Sequence, residues 1–170
     1  PNGFWGRDHG NDEGIPPDGF LRTLVGVYPA GGAFDDSRFD PLGLGAGAGG
    51  NGITPILLSS SVHFWQAEVA LASGDAATAK THMLAGLADN VEKVMTFGAL
   101  DSTGDLSAAP TADDVSLHAS SIEAAFDADT TGGWNVLGQE FLVSLYGNGN
   151  DAYNFYRRTG YPNNLQPNLE

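Results

Sequence analysis

The stretch Phe64-Trp65-Gln66-Ala67-Glu68-Val69-Ala70-Leu71-Ala72-Ser73-Gly74-Asp75-Ala76-Ala77-Thr78-Ala79 decides the fold class. Leu58, Val62, Trp65, Val69 and Ala72 recur at spacings of four and three, which stacks them on one helical face. Ser59, Ser60 and Ser61 offer N-caps for the start of that helix. Ser73-Gly74-Asp75 then interrupts the pattern. Gly74 suits the left-handed residue that closes a helix, and Asp75 can cap the next one. A second helix follows, with Ala76, Ala79, Met83, Leu87, Val91 and Val94 on its inward face. Gly86 sits inside it at a cost of about 1 kcal/mol relative to Ala, which a close approach of the first helix near Ala67 or Ala70 would explain. The result is a helical hairpin over 56–97.

Downstream, Ala112-Asp113-Asp114 starts a helix that runs to about Phe126, with Val115, His118, Ile122 and Ala125 or Phe126 inward. A break at 127–133 precedes a helix from Trp134 to Tyr146, with Leu137, Phe141 and Leu145 on one face. Gly147-Asn148-Gly149-Asn150 ends it, and Asp151 caps a short helix over 152–158. Upstream the character changes. Residues 1–40 are rich in Gly, Asn, Asp, Pro and aromatic side chains, and residues 43–52 read as a flexible loop. That Gly-rich run lacks the Gly-Lys-Ser/Thr ending of a phosphate-binding loop. The chain therefore reads as one domain, or a piece of a larger one, in four parts. These are a loop-rich segment (1–55), the hairpin (56–97), a linker with a helix (98–133), and a helix with a C-terminal segment (134–170).

Charge narrows the partners. The chain carries 21 acidic and 7 basic residues, a formal net charge of −14. Nucleic acid is an unsuitable partner, because phosphate contacts need Lys and Arg, and an anionic membrane surface is equally unattractive. There is no Cys, so disulfides, thiolate catalysis and Cys-based zinc sites are excluded. No apolar run approaches the ~20 residues of a membrane-spanning helix.

Few constellations point to chemistry. Asp8, Asp12 and Glu13, near His9 and Asp18, are the candidate hard-oxygen metal ligands, but Gly10 stands where an EF-hand loop needs its second ligand. Solvated, loop-bracing carboxylates account for that cluster better, and no cofactor is expected. No Gly-x-Ser-x-Gly motif is present, and His63 and His82 fall inside helices as packed or surface residues. No carboxylate pair is marked out for glycoside hydrolysis by its spacing. Aromatic residues outside the hairpin are more suggestive, since rings on loops can stack on sugars. Trp5, Tyr28 and Trp134 are the ligand-binding candidates on that ground. Arg157-Arg158 stands out in a chain with few cations, and an ion pair to Asp18 or Asp35 is the expected use.

Four stretches together resemble the SusD/RagB family of nutrient-binding outer-membrane lipoproteins. They are Trp5-Gly6-Arg7-Asp8-His9-Gly10-Asn11 with Ile15-Pro16-Pro17-Asp18; Gly26-Val27-Tyr28-Pro29-Ala30-Gly31-Gly32-Ala33-Phe34-Asp35; Phe64-Trp65-Gln66-Ala67-Glu68-Val69-Ala70, similar to the family's F-x-x-A-E-A-A helix; and Tyr153-Asn154-Phe155-Tyr156-Arg157-Arg158-Thr159-Gly160-Tyr161-Pro162, close to its W-x-x-Y-R-R-T-G-Y-P. Their order and spacing agree with the family from Trp5 to Pro162. Tyr153 replaces the family's Trp. Family members are several times longer and carry a signal peptide and lipobox Cys, so this chain reads as a late section of such a protein.

The resemblance implies a mainly α fold: a tetratricopeptide-like hairpin and further helices, covered by long Gly/Pro-rich loops. It implies a lipid-anchored receptor at the cell surface of the outer membrane. That receptor would bind oligosaccharides or other nutrients without catalysis and pass them to a SusC-type TonB-dependent transporter. A protein-interaction scaffold built on the hairpin is the alternative, and a carbohydrate-active hydrolase a distant third. In a fragment, an apolar patch along Val62, Trp65, Val69, Met83 or Leu87 is expected to self-associate.

Overall fold

The computed structural model describes residues 53–99 and 109–165. The fold is mainly α, and no strand occurs among the described residues. The helices are α1 (Ser59–Ala72), α2 (Ala76–Gly98), α3 (Ala112–Ala128), α4 (Trp134–Ser144) and α5 (Gly149–Thr159). The chain divides into two compact units. The first comprises Thr54–Lys93 and Ala109–Leu165, and holds most of the helical structure among the described residues. Of the second, the described residues are Ile53 and 94–99, which include the last residues of α2.

The hairpin forms where the spacing predicts it. Gly74 is left-handed at φ +80°, a conformation that costs a residue with a Cβ. The Asp75 amide donates to the Ala70 carbonyl at 2.9 Å, closing α1. Asp75 then caps α2, accepting from the Thr78 amide (3.0 Å) and hydroxyl (2.7 Å). Ser59, Ser60 and Ser61 do not cap α1. Leu58 occupies that position without a side-chain bond, while Ser60 and Ser61 are buried.

The inward face of α1 differs from the expectation. Phe64, Ala67, Ala70 and Leu71 are in the core, with Ser60, whereas Val62 and Val69 are exposed, the latter at 65%. The buried face lies roughly 150° round the helix from the predicted one. Apolar residues surround much of α1, so periodicity alone leaves the rotation weakly determined. Packing decides it: Ala67 and Ala70 allow close approach, and Phe64 supplies the largest apolar area. A Cβ at Gly86 would lie 2.9 Å from the Phe64 ring and 3.2 Å from the Ser60 carbonyl. Gly86 thus serves the expected close approach, but to residues about a turn earlier than Ala67. On α2, Ala79, Met83 and Leu87 of the expected face are buried and Val91 is half-buried, whereas Ala76 and Val94 are exposed. The anticipated apolar patch therefore retains Val62, Val69 and part of Trp65, but not Met83 or Leu87.

Helix α4 runs through the centre of this unit. Leu137, Phe141 and Leu145 are buried along its predicted face. Phe141 stacks on Phe64 (centroids 5.0 Å apart), meets Phe155 of α5 at 5.0 Å and 72°, and meets Trp65 at 6.4 Å and 84°. Gly138 lets the C-terminal segment lie against α4, because a Cβ there would fall 2.8 Å from the Pro162 nitrogen. Trp134 stacks on Tyr161 at 6.0 Å, and the Asn163 amide donates to Asn135 Oδ1 at 2.9 Å.

Helix α3 begins with a capping box between Thr111 and Asp114, and buries Phe126. Of the residues expected inward, Phe126 is buried and Ile122 packs against the core, but His118 is exposed, because α3 turns only a narrow stripe toward the core. The link from α3 to α4 is organised by Asp129. Its carboxylate accepts from the Thr131 amide and hydroxyl and from the Asn135 and Val136 amides, the last two at 3.0 and 3.2 Å. Partial burial pushes the Asp129 pKa up, but these donations outweigh it, and the net direction is down from 3.8.

Two predictions follow from these contacts. Gly138→Ala should lower stability by about 1–3 kcal/mol, because the obstructing atoms are backbone and have little room to yield. An unchanged urea midpoint would refute the close approach. Since the folded pKa of Asp129 is depressed, its contribution is complete above the ordinary value of 3.8 and is lost as pH falls through the folded pKa. Asp129→Asn should therefore flatten the acid limb of the stability profile, measured as Tm against pH; an identical limb in the variant would contradict this.

Candidate functional site

Helices α1 and α5 bring the distinctive residue types together. On α5, Asp151, Asn154 and Arg157-Arg158 recur at spacings of three and four, which sets them along one side. Asn148 caps this helix: its Oδ1 accepts from the Asp151 amide at 3.3 Å, and its Nδ2 donates to Asp151 Oδ2 at 2.7 Å. Buried Phe155 anchors α5 against Phe141. Gly160, left-handed at φ +74°, ends the helix.

Arg158 is committed. Its Nε donates to Glu68 Oε1 at 2.6 Å and its Nη2 to Glu68 Oε2 at 2.7 Å, a two-pronged pair across 90 residues of sequence. The hydrogen bond to Glu68 pushes the Arg158 pKa further up. Arg158 also lies 5.8 Å from the Phe155 ring centroid. Among the described residues Arg158 pairs with Glu68; Asp18 and Asp35, the partners expected for Arg157-Arg158, lie outside the described residues. Arg157 forms no ion pair among the described residues.

Two recesses flank Trp65. One, of about 550 Å³, is lined by Trp65, Asp151, Asn154, Arg157 and Arg158. The other is an open groove of about 510 Å³ along α1 and the start of α2, where Val62, Trp65 and Val69 supply the apolar wall and Gln66, Thr78 and His82 the polar one. Trp65 is the side chain common to both. It meets Phe141 edge-to-face, so at least one face of the indole is left uncovered by that ring.

Of the sequence-derived candidates, Trp5 and Tyr28, together with Asp8, Asp12 and Glu13, lie outside the described residues. Trp134 borders neither recess. Its half-buried ring stacks on Tyr161 and packs against the core, bracing 160–163. Trp65, which the sequence places on the apolar face of α1 and in the expected apolar patch, lines both recesses. Among the described residues, no group of three His, Asp or Glu side chains is gathered as metal ligands. Burial raises the pKa of Glu140, with His118 acting against it, but neither residue borders a recess.

No protein-family model, curated protein or solved structure matches the chain.

The Glu68–Arg158 pair is half exposed on the Arg side but has both prongs in place. A double-mutant cycle with Glu68→Gln and Arg158→Gln should give a coupling energy of about 1 kcal/mol, the upper part of the range for such pairs. A coupling indistinguishable from zero would mean that the pair does not hold α5 to α1.

Proposed function

We propose that the chain is part of a SusD-like nutrient receptor, which binds oligosaccharides at the outer-membrane surface and delivers them to a SusC-type TonB-dependent transporter. One observation carries most of this reading. Two of the stretches on which the resemblance rests, the helix holding Ala67-Glu68-Val69-Ala70 and the segment Tyr156-Arg157-Arg158-Thr159-Gly160-Tyr161-Pro162, meet through the Glu68–Arg158 pair. Residues that make the motifs recognisable are thus the residues that join α1 to α5. The antiparallel α1–α2 pair, closed by Ser73-Gly74-Asp75, supports the tetratricopeptide-like part of the reading. In the whole receptor a lipid anchor would hold this section at the cell surface, and binding would involve no bond breaking.

Exposed Val62 and Val69 along the apolar groove favour a second reading, a scaffold that docks another protein on α1. A glycan array separates the two. The receptor reading expects saturable binding of an oligosaccharide class, with the bound sugar recovered unchanged. Failure to retain any glycan would refute it and leave the scaffold; release of shortened products would indicate a hydrolase.

A further inference from the structure

We infer that the recess between Trp65 and α5 is a subsite for one neutral pyranose ring of an oligosaccharide. The inference rests on the receptor reading above and adds to it a place and a ligand class. Three features argue for it. First, Trp65 offers an indole whose position is fixed by the buried Phe141, and a rigid aromatic surface is what the C–H face of a sugar ring packs against. Second, Asp151, Asn154 and Arg157 supply acceptors, a mixed donor–acceptor amide and donors around the same space. Adjacent sugar hydroxyls both donate and accept, so a mixed set of this kind matches them. Third, the volume of about 550 Å³ lies within the range of small-molecule sites and accommodates a ring with its neighbours.

Charge selects the neutral class. Glu68 already neutralises Arg158. Asp151 and Arg157 then leave the recess with one charge of each sign, in a chain of formal charge −14. An acidic sugar would face Asp151 and the field of the whole chain, with only Arg157 to offset them. The Glu68–Arg158 pair has a second effect: it fixes the Arg158 guanidinium in place, so the recess wall is formed before a ligand arrives.

The test uses the full 170-residue chain. Maltohexaose, cellohexaose, mannohexaose, xylohexaose and, as the acidic control, hexagalacturonate are titrated by calorimetry into the chain and into an Asn154→Ala/Arg157→Gln variant. Both substituted side chains are exposed, so the fold should persist, which circular dichroism and Tm check. At least one neutral hexaose should bind, at least about tenfold more weakly to the variant. The Trp65 indole N–H resonance should shift on binding, a readout that does not depend on mutation. If a neutral hexaose binds but the variant retains its affinity and the Trp65 resonance stays still, this subsite is refuted while the receptor reading stands. Tighter binding of hexagalacturonate than of any neutral hexaose overturns the ligand class. If no hexaose binds, the subsite assignment falls; a blank glycan array as well removes the receptor reading.

Discussion

The Phe141 ring is the contact on which the helical unit depends. It sits on α4 and is touched by Phe64 and Trp65 from α1 and by Phe155 from α5. Aromatic side chains bury more area than any others and add a directional preference, so a cluster of four fixes helix rotations as well as helix distances. Phe64 stacks and Phe155 meets Phe141 edge-on, each at 5.0 Å. Those two geometries cannot be kept if either α1 or α5 turns about its axis. The close approach at Gly86 belongs to the same constraint, because it makes room for the Phe64 ring that stacks on Phe141.

From this cluster outward, side chains become progressively more polar without a break in the packing. Phe155 is buried, Arg158 lies over its ring, and Glu68 fixes Arg158 from α1. Asn154, Arg157 and Asp151 then line the recess. A cation in contact with an aromatic ring and a carboxylate gives up much of its freedom, which makes it a wall instead of a mobile surface charge. The Arg158 part of the recess rim is therefore held by the same cluster that forms the core.

How much of this was legible in sequence depended on how sharply each helix divides into faces. Helix α4 presents Leu137, Phe141 and Leu145 at spacings of four, with polar or small residues between some of them, and its face was read correctly. The hairpin turn was legible because Gly74 and Asp75 act locally, through a left-handed residue and a cap. Helix α1 was not, because Val62, Phe64, Trp65, Val69 and Leu71 together leave two apolar faces, and only partners far along the chain choose between them. The same applies to Arg158: its need for a carboxylate was legible, but the identity of Glu68, 90 residues away, was not. Trp134 shows the converse. A ring beside a Gly-rich break looked available, but Tyr161 occupies it once the C-terminal segment folds back onto α4.

The rotation of α1 decides where Trp65 stands. Had Val62, Trp65 and Val69 faced inward, Trp65 would be a core residue and the recess would have no aromatic wall. With Phe64 inward, Trp65 stands at the edge of the core, in contact with Phe141 and lining the recess. A surface tryptophan on an isolated helix samples several rotamers and loses that freedom on binding a ligand. Here the contact with Phe141 already restrains the ring, so the proposed sugar would meet a surface whose ordering cost is met on folding. At the proposed subsite, stability and recognition would thus be linked through one side chain. A change at Phe141 that loosens the core would be felt at the recess without altering any residue that lines it.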